Sequence, residues 1–264
     1  MAEDLILVER TDRVAVLTLN RPEARNALNT ALLAQLTTAL ERESAAADVG
    51  AIVLTGAGPA FCAGADLKES ATAMEGADFW AQHDRATRSL NIHQMMPKLP
   101  VPVIAAVNGA AVAGGCGLAM SCDIVFASGT ARFGYPEVGH GLVAAMAMVS
   151  LSRCVGRHQA LDLLLSGRLL DADEALRIGL VNRVVAPDEL MPVVLSYAGA
   201  MAAKPAPALR LTKALYRQVS DVDYDRALEY ARDVNMLVRY VDDARAGSKA
   251  YARKREELRR GQQA

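Results

Sequence analysis

The chain has almost no charge imbalance: 29 Lys and Arg face 30 Asp and Glu, a formal net charge of −1 over 264 residues. A nucleic-acid partner demands a basic face, so that class of function is set aside. Cysteine is scarce. Cys62, Cys116, Cys122 and Cys154 form neither a zinc pattern nor a paired disulfide spacing, which fits a reducing compartment. The 4 histidines likewise lack metal-ligand spacing. No GxGxxG dinucleotide fingerprint is present, the nearest segment reading AGGCGL, and there is no GxSxG elbow. The opening MAEDLILVER is acidic and too poor in apolar residues for a signal peptide. Residues 99–122 carry no charge, but Asn108, two prolines and many small residues lower their hydrophobicity. They read as two elements of a globular core and not as a membrane span. The expected location is cytoplasmic.

What is present is apolar bulk, 52% of the residues, enough to fill a large core. The stretch Val101–Glu137 concentrates it. An apolar run (Val103–Val107) leads into the glycines Gly114, Gly115 and Gly117, then an Ala/Leu/Met segment, a second apolar run (Ile124–Ala127) and a carboxylate after proline, Glu137. This predicts strand, glycine turn, buried helix, strand, and a loop bearing an acid. A helix N-terminus presents unpaired N–H groups and a dipole that favours negative charge, and glycine there lets a ligand approach the backbone. A helix starting near Gly114 therefore points N–H groups at a phosphate or at an oxyanion formed in reaction. Glycines at such a junction also serve simply for tight packing.

Taken in order, Val14–Leu19 reads as a strand stopped at Asn20-Arg21-Pro22, and Asn29 precedes a helix running to about Ser44. Val49–Leu54 is a second strand, followed by the loop GAGPAFCAGADL; residues 68–96 read as one or two helices. Beyond Ser152 the pattern becomes helical over Gly156–Ser166, Asp173–Gly179, Glu189–Ala203, Pro207–Val219, Tyr224–Val241 and Asp242–Arg260, with a short strand at Val181–Val185. Strands and helices alternate through the first two thirds, predicting an α/β core built from repeated strand–loop–helix units.

Three features come directly after strands of that core and are expected at one end of it: Phe61–Leu67, the glycines at 114–117, and Pro136-Glu137. Two backbone N–H groups from separate loops make an oxyanion hole, each donor worth about 10²–10³ in rate. A partly desolvated glutamate beside them is a general acid or base, and the set suits proton transfer next to a carbonyl. His140 is an auxiliary acid or base. Cys116 reads as a nucleophile or a small buried hydrophobe. Asp66 and Asp123 read first as turn residues.

Together these segments resemble the crotonase (enoyl-CoA hydratase/isomerase) family. The resemblance runs from about Val14 to about Glu257 and is carried by Asn20-Arg21-Pro22 with Asn26-Ala27-Leu28, FCAGADL, PVIAAVNG with AGGCGLAMSCD, FGYPEVGHG, LSGRLLDADEALRIGLVNRVV and AYARKREE. It implies a spiral core of repeated ββα units over 1–190 that holds the acyl-CoA site. A helical C-terminal region, 191–264, would serve oligomerisation and CoA contact, usually in trimers or hexamers. It implies a coenzyme A thioester as substrate and no separate cofactor. Residue by residue, it implies oxyanion donors at Ala65 and Gly114 and a catalytic Glu137. Substrate contacts fall at Arg25, Ala63, Asp66 and Leu67, with Tyr251 and Lys254 toward the adenosine end, where a cation meets phosphate. The acyl pocket wall is expected from residues 68–96 and 140–150.

One departure stands out. Typical hydratases of the family carry two glutamates, and at the first position this chain has Gly117, which cannot move a proton. The glycine-rich stretch after the second glutamate is replaced by Leu142-Val143-Ala144-Ala145-Met146. Three readings remain: a hydratase working with Glu137 and a water or His140, a 3-enoyl-CoA to 2-enoyl-CoA isomerase needing one base, and a weakly catalytic acyl-CoA-binding subunit. The missing side chain at Gly117 is expected to leave room for a bulkier or polar acyl group.

Overall fold

The structure is a computed structural model that describes residues 4–76 and 79–240. In chain order the first elements are strands β1 (Ile6–Thr11) and β2 (Val14–Leu19), helix α1 (Thr30–Ala45), and strands β3 (Ala51–Gly56) and β4 (Ala60–Cys62). Helices α2 (Leu67–Gly76) and α3 (Phe79–Met95) come next, then β5 (Val103–Val107), β6 (Ala110–Val112), α4 (Gly114–Met120), β7 (Ile124–Ser128) and β8 (Arg132–Gly134). The chain continues through α5 (Ala147–Cys154), α6 (Arg157–Ser166), β9 (Leu169–Asp171), α7 (Ala172–Arg177), β10 (Arg183–Val185), α8 (Leu190–Ala202), α9 (Ala206–Val219) and α10 (Tyr224–Val238).

Two sheets share these strands. The larger runs β1-β2-β3-β5-β7-β10, parallel except for the β1–β2 pair; the smaller runs β4-β6-β8-β9, parallel except for β8–β9. Each repeat sends its first strand into the large sheet and its second, three-residue strand into the small one: β3 then β4, β5 then β6, β7 then β8. This is the expected α/β spiral of ββα units.

The large sheet is buried on both faces, as parallel strands are. Ala15, Leu17, Ile52, Leu54, Val103 and Ala105 face the main core with α1 residues Leu32, Leu36 and Leu40. The alternate residues Val14, Val16, Val53, Ile104 and Ala106 face α8 through Val194, Ala198 and Ala202. α1 begins where the Asn29 side chain accepts the Leu32 N–H at 2.8 Å, a polar N-cap. The chain separates into two compact units, Met1–Ala203 and Lys204 onward. In the first unit α8 covers one face of the large sheet. In the second unit α9 and α10 pack on each other.

Six elements were not anticipated: β1, β4, β6, β8, β9 and α5. β1 is an edge strand with an exposed charged face, so its apolar signal is weak. β4, β6 and β8 are too short to show a period. The strand expected at Val49 begins at Ala51, because the Gly50 N–H turns to the Arg13 carbonyl at 2.7 Å. The helix expected over 242–260 lies outside the described residues. Residues 99–122 form β5, β6 and α4, and no helix among the described residues is long and apolar enough to cross a membrane.

The loop after β2 positions the segment that enters β4. Arg25 and Asn26 both take left-handed backbone, with φ of 50° and 57°. Asn26 is fully buried; its Oδ1 accepts the Arg21 N–H at 2.9 Å, and its Nδ2 donates to the carbonyls of Ala57 and Ala60 at 3.0 and 2.8 Å. These bonds tie the β2 loop to the loop entering β4. Asn26→Ala leaves those buried groups unpaired, so urea unfolding should show a loss of about 2–3 kcal/mol; a change within the error of wild type would remove Asn26 from this role.

Candidate functional site

The pinned loop carries Leu28 alongside Ala65. Leu28 donates its N–H to Gly64 O at 2.7 Å and accepts the Asp66 N–H at 3.1 Å, in a single parallel bridge. Ala65 sits between those two bonds, and its own N–H has no partner among the described residues. On the neighbouring repeat, Ala113 holds φ 54°, ψ −128°, a conformation that costs an L residue roughly 1–3 kcal/mol. It is held by its N–H to Gly134 O at 2.8 Å and by its carbonyl, which accepts the Gly117 N–H at 3.1 Å. The kink turns the first N–H of α4, that of Gly114, out of the helix without a partner among the described residues.

The two N–H groups belong to backbones in close approach. A Cβ built on Gly64 would lie 3.1 Å from Gly114 N, and one built on Gly114 would lie 3.8 Å from Ala65 N. Gly64 also needs φ 90°, which favours glycine. Gly115 packs so tightly on the Cys62 carbonyl that any side chain would collide with it. The glycines thus serve both purposes raised by the sequence: tight packing of α4 on β4, and an accessible pair of donors.

Glu137 enters on a 3₁₀ turn, Pro136–His140, just after β8. Its Oε2 is buried and has no hydrogen-bond partner among the described residues. Burial pushes its pKa above the ordinary carboxylate range, partly offset by its own backbone N–H. Ala65, Gly114, Glu137 and His140 line one cavity of about 490 Å³, together with Ala63 and Leu67. The walls come from α2 and α3 (Ser70, Gln82, Arg85, Ser89, His93) and from Leu142–Ala147, the two segments expected to supply them. The structure therefore brings together six of the ten residues singled out by the sequence.

Four are elsewhere. Arg25 is exposed on the β2 loop and does not line the cavity; its carbonyl accepts the Ala63 N–H at 3.0 Å. Asp66 is turned away: it accepts the N–H groups of Lys68 and Glu69 at 3.1 and 3.2 Å and pairs with Arg21 at 3.0 Å, capping α2. Tyr251 and Lys254 lie outside the described residues. Asp123 is a turn residue, accepting the Val103 N–H at 2.7 Å. Cys116 is fully buried with its thiol pushed up to about 12, which removes the nucleophile reading.

Gly117 leaves no room. A Cβ there would meet Ala147 Cβ at 2.7 Å and His93 Cε1 at 3.2 Å. The expectation of extra acyl space at this position is corrected: α5, an element the sequence did not reveal, and α3 occupy it. His93 was missed as a site residue. Its Nδ1 is 2.7 Å from Ser121 Oγ, and burial lowers its pKa. The sequence offered only its place on a predicted helix, since nothing local links it to Gly117.

A sequence model of the family described as enoyl-CoA hydratase/isomerase matches residues 9–260. A "probable enoyl-CoA hydratase" of Rhizobium meliloti is 40% identical, covering 97% of this chain and 98% of its own. A "crotonyl-CoA hydratase" of Syntrophomonas wolfei is 39% identical, with coverage of 97% and 98%. The crystal structure of an enoyl-CoA hydratase of Mycobacterium smegmatis superposes with a TM-score of 0.91 at 37% identity, over 96% of this chain and 97% of that one. With a family match over nearly its whole length, a matching fold and the two donors and carboxylate in one cavity, this chain belongs to the enoyl-CoA hydratase/isomerase family.

Proposed function

We propose that this protein adds water to a 2-enoyl-CoA thioester, using Glu137 as its one carboxylate. The observation that carries this reading is the buried, unpartnered Glu137 Oε2 in the same cavity as the unpaired N–H groups of Ala65 and Gly114. An unpaired buried carboxylate oxygen costs stability, and a substrate or water in the cavity is the partner that offsets it. Relatives named enoyl-CoA and crotonyl-CoA hydratase support the substrate class.

In this mechanism the thioester oxygen accepts both N–H groups. Glu137 takes a proton from water as the water oxygen bonds to C3, and the C2=C3 electron pair moves onto the thioester oxygen as an enolate. The proton on Glu137 then passes to C2, so one water is consumed and the enzyme returns to its starting state. Because the donors are fixed by the backbone, they need no rearrangement as charge develops, and this preorganisation is the largest contribution to rate. His140, at the end of the Glu137 turn, is the auxiliary proton carrier.

Ala63 and Leu67 border the substrate, and Arg25 meets the CoA phosphates from the loop behind Ala63. Asp66 acts indirectly, fixing the backbone after Ala65 through its cap on α2. Tyr251 and Lys254 are proposed at the adenosine end, in a trimer or a dimer of trimers, on the family resemblance alone. A second reading is favoured by one observation: Glu137 is the sole Asp or Glu among the described cavity-lining residues. One base suffices to move a proton from C2 to C4 of a 3-enoyl-CoA, making the 2-ene without water.

The assay offers a 2-enoyl-CoA and, separately, a 3-enoyl-CoA in heavy water and reads products by NMR. A 3-hydroxyacyl product carrying deuterium at C2 is expected; a 2-ene from the 3-ene with no hydration would establish the isomerase instead. CoA ester binding without turnover would make the protein a binding subunit. Glu137→Gln should lower kcat by about 10²–10⁴ with little change in KM. The base must be ionised, so kcat/KM should fall as pH drops through a pKa above the ordinary carboxylate range; an acid limb inside that range would show that Glu137 is not the desolvated base described here.

A further inference from the structure

A water that attacks C3 has two protons to place. Glu137 accepts one. No second carboxylate lines the cavity among the described residues, and a water left with an unpaired O–H in a desolvated site is poorly held and poorly aimed. The space where a side chain at position 117 would begin is filled by Ala147 and by the His93 ring, whose Cε1 would stand 3.2 Å from that Cβ.

We propose that His93 is a further catalytic residue, its Nε2 accepting the second hydrogen bond of the attacking water while Glu137 takes the proton. This rests on the one-glutamate hydration reading above.

The tautomer is set by three contacts. Ser121 Oγ lies 2.8 Å from Gly117 O, which can only accept, so the serine hydroxyl donates there. Ser121 Oγ then receives the His93 Nδ1–H across 2.7 Å, with Ser150 Oγ at 3.4 Å as a further neighbour. With its proton on Nδ1, neutral His93 presents a lone pair at Nε2, and Nε2 has no partner among the described residues. His93 lines the same cavity as Glu137, Ala65 and Gly114. Burial, which disfavours the charged ring, keeps the imidazole in this acceptor form. His93 gains and loses no proton in the cycle: the water proton goes to Glu137 and on to C2. The hydrogen bond to Nε2 fixes the water's orientation and leaves an oxygen lone pair aimed at C3.

The two conservative replacements separate this role from a structural one. The amide of His93→Asn can occupy the Nδ1 position and keep the bond to Ser121, but it has nothing at Nε2. The amide of His93→Gln reaches the Nε2 position and gives up the bond to Ser121, which keeps its bond to Gly117 O. Hydration of a 2-enoyl-CoA and exchange of the C2 proton of a saturated acyl-CoA with heavy water are measured for both, since the exchange needs the oxyanion hole and Glu137 but no attacking water. The expected result is a roughly 10- to 100-fold loss of hydration kcat in His93→Asn, with KM and C2 exchange kept, and a smaller loss in His93→Gln. The reverse order, or equal losses of hydration and exchange in both variants, would mean that His93 only supports α4 through Ser121 and would overturn the proposal. Wild-type enzyme that exchanges C2 protons yet hydrates no 2-enoyl-CoA would sink the hydration reading and this assignment with it; wild-type hydration that survives intact in His93→Asn would sink this assignment alone.

Discussion

Two stretches of backbone, Gly64-Ala65 and Ala113-Gly114, approach so closely that Gly64 has no space for a side chain. Each leaves one N–H, on a residue lining the same cavity, unpaired among the described residues. In most proteins such groups are taken up by other backbone, because an unpaired buried N–H is costly. Here the bridge to Leu28 uses the groups on either side of Ala65 and skips its N–H, while the kink at Ala113 keeps Gly114 from joining a preceding helical turn. The strain at Ala113 persists because two hydrogen bonds on that residue, to Gly134 and from Gly117, over-determine it.

The ββα repeat explains why the donors and the acid meet. Each repeat leaves the large sheet, adds one short strand to the small sheet and then turns. The β4 exit delivers Ala65, the β6 exit delivers Gly114 and the β8 exit delivers Glu137, because β4, β6 and β8 are parallel neighbours. A parallel arrangement puts all three exits at one end, where loops on a rigid scaffold commonly carry function. Asn26 is the strut behind this end. Buried and with both ends of its amide bonded, it fixes the β2 loop against the entry to β4 and so sets where Leu28 meets Ala65.

The site's electrostatics derive from what the cavity withholds. No ion pair to Glu137 forms among the described residues; desolvation raises its pKa and makes it a stronger base than an exposed glutamate. Glu174, held in an ion-pair cluster, behaves differently. Arg168 bonds Asp162 at 2.7 Å and Glu174 at 2.9 Å on the surface, and the hydrogen bond from Arg168 holds Glu174 below the ordinary range. That cluster joins α6 to α7, whereas the isolated carboxylate is the one left available for proton transfer.

The sequence by itself determined the alternation of elements, the glycine-to-helix junction at 114, the loop acid at 137 and the family, because each is a local signal: a run of β-branched residues, a residue without Cβ, a carboxylate after proline. Tertiary structure decided the rest. The three-residue strands of the small sheet have no period to read and form only because parallel neighbours pair with them. The turning of Asp66 toward Arg21 and the burial of Cys116 depend on contacts dozens of residues away. The filling of position 117 is the clearest case. From the sequence a glycine there meant empty space; in the fold, Ala147 from one side and His93 from the other take that volume. No local pattern encodes this, since three helices must pack before a residue at 93 and one at 147 meet the same backbone atom.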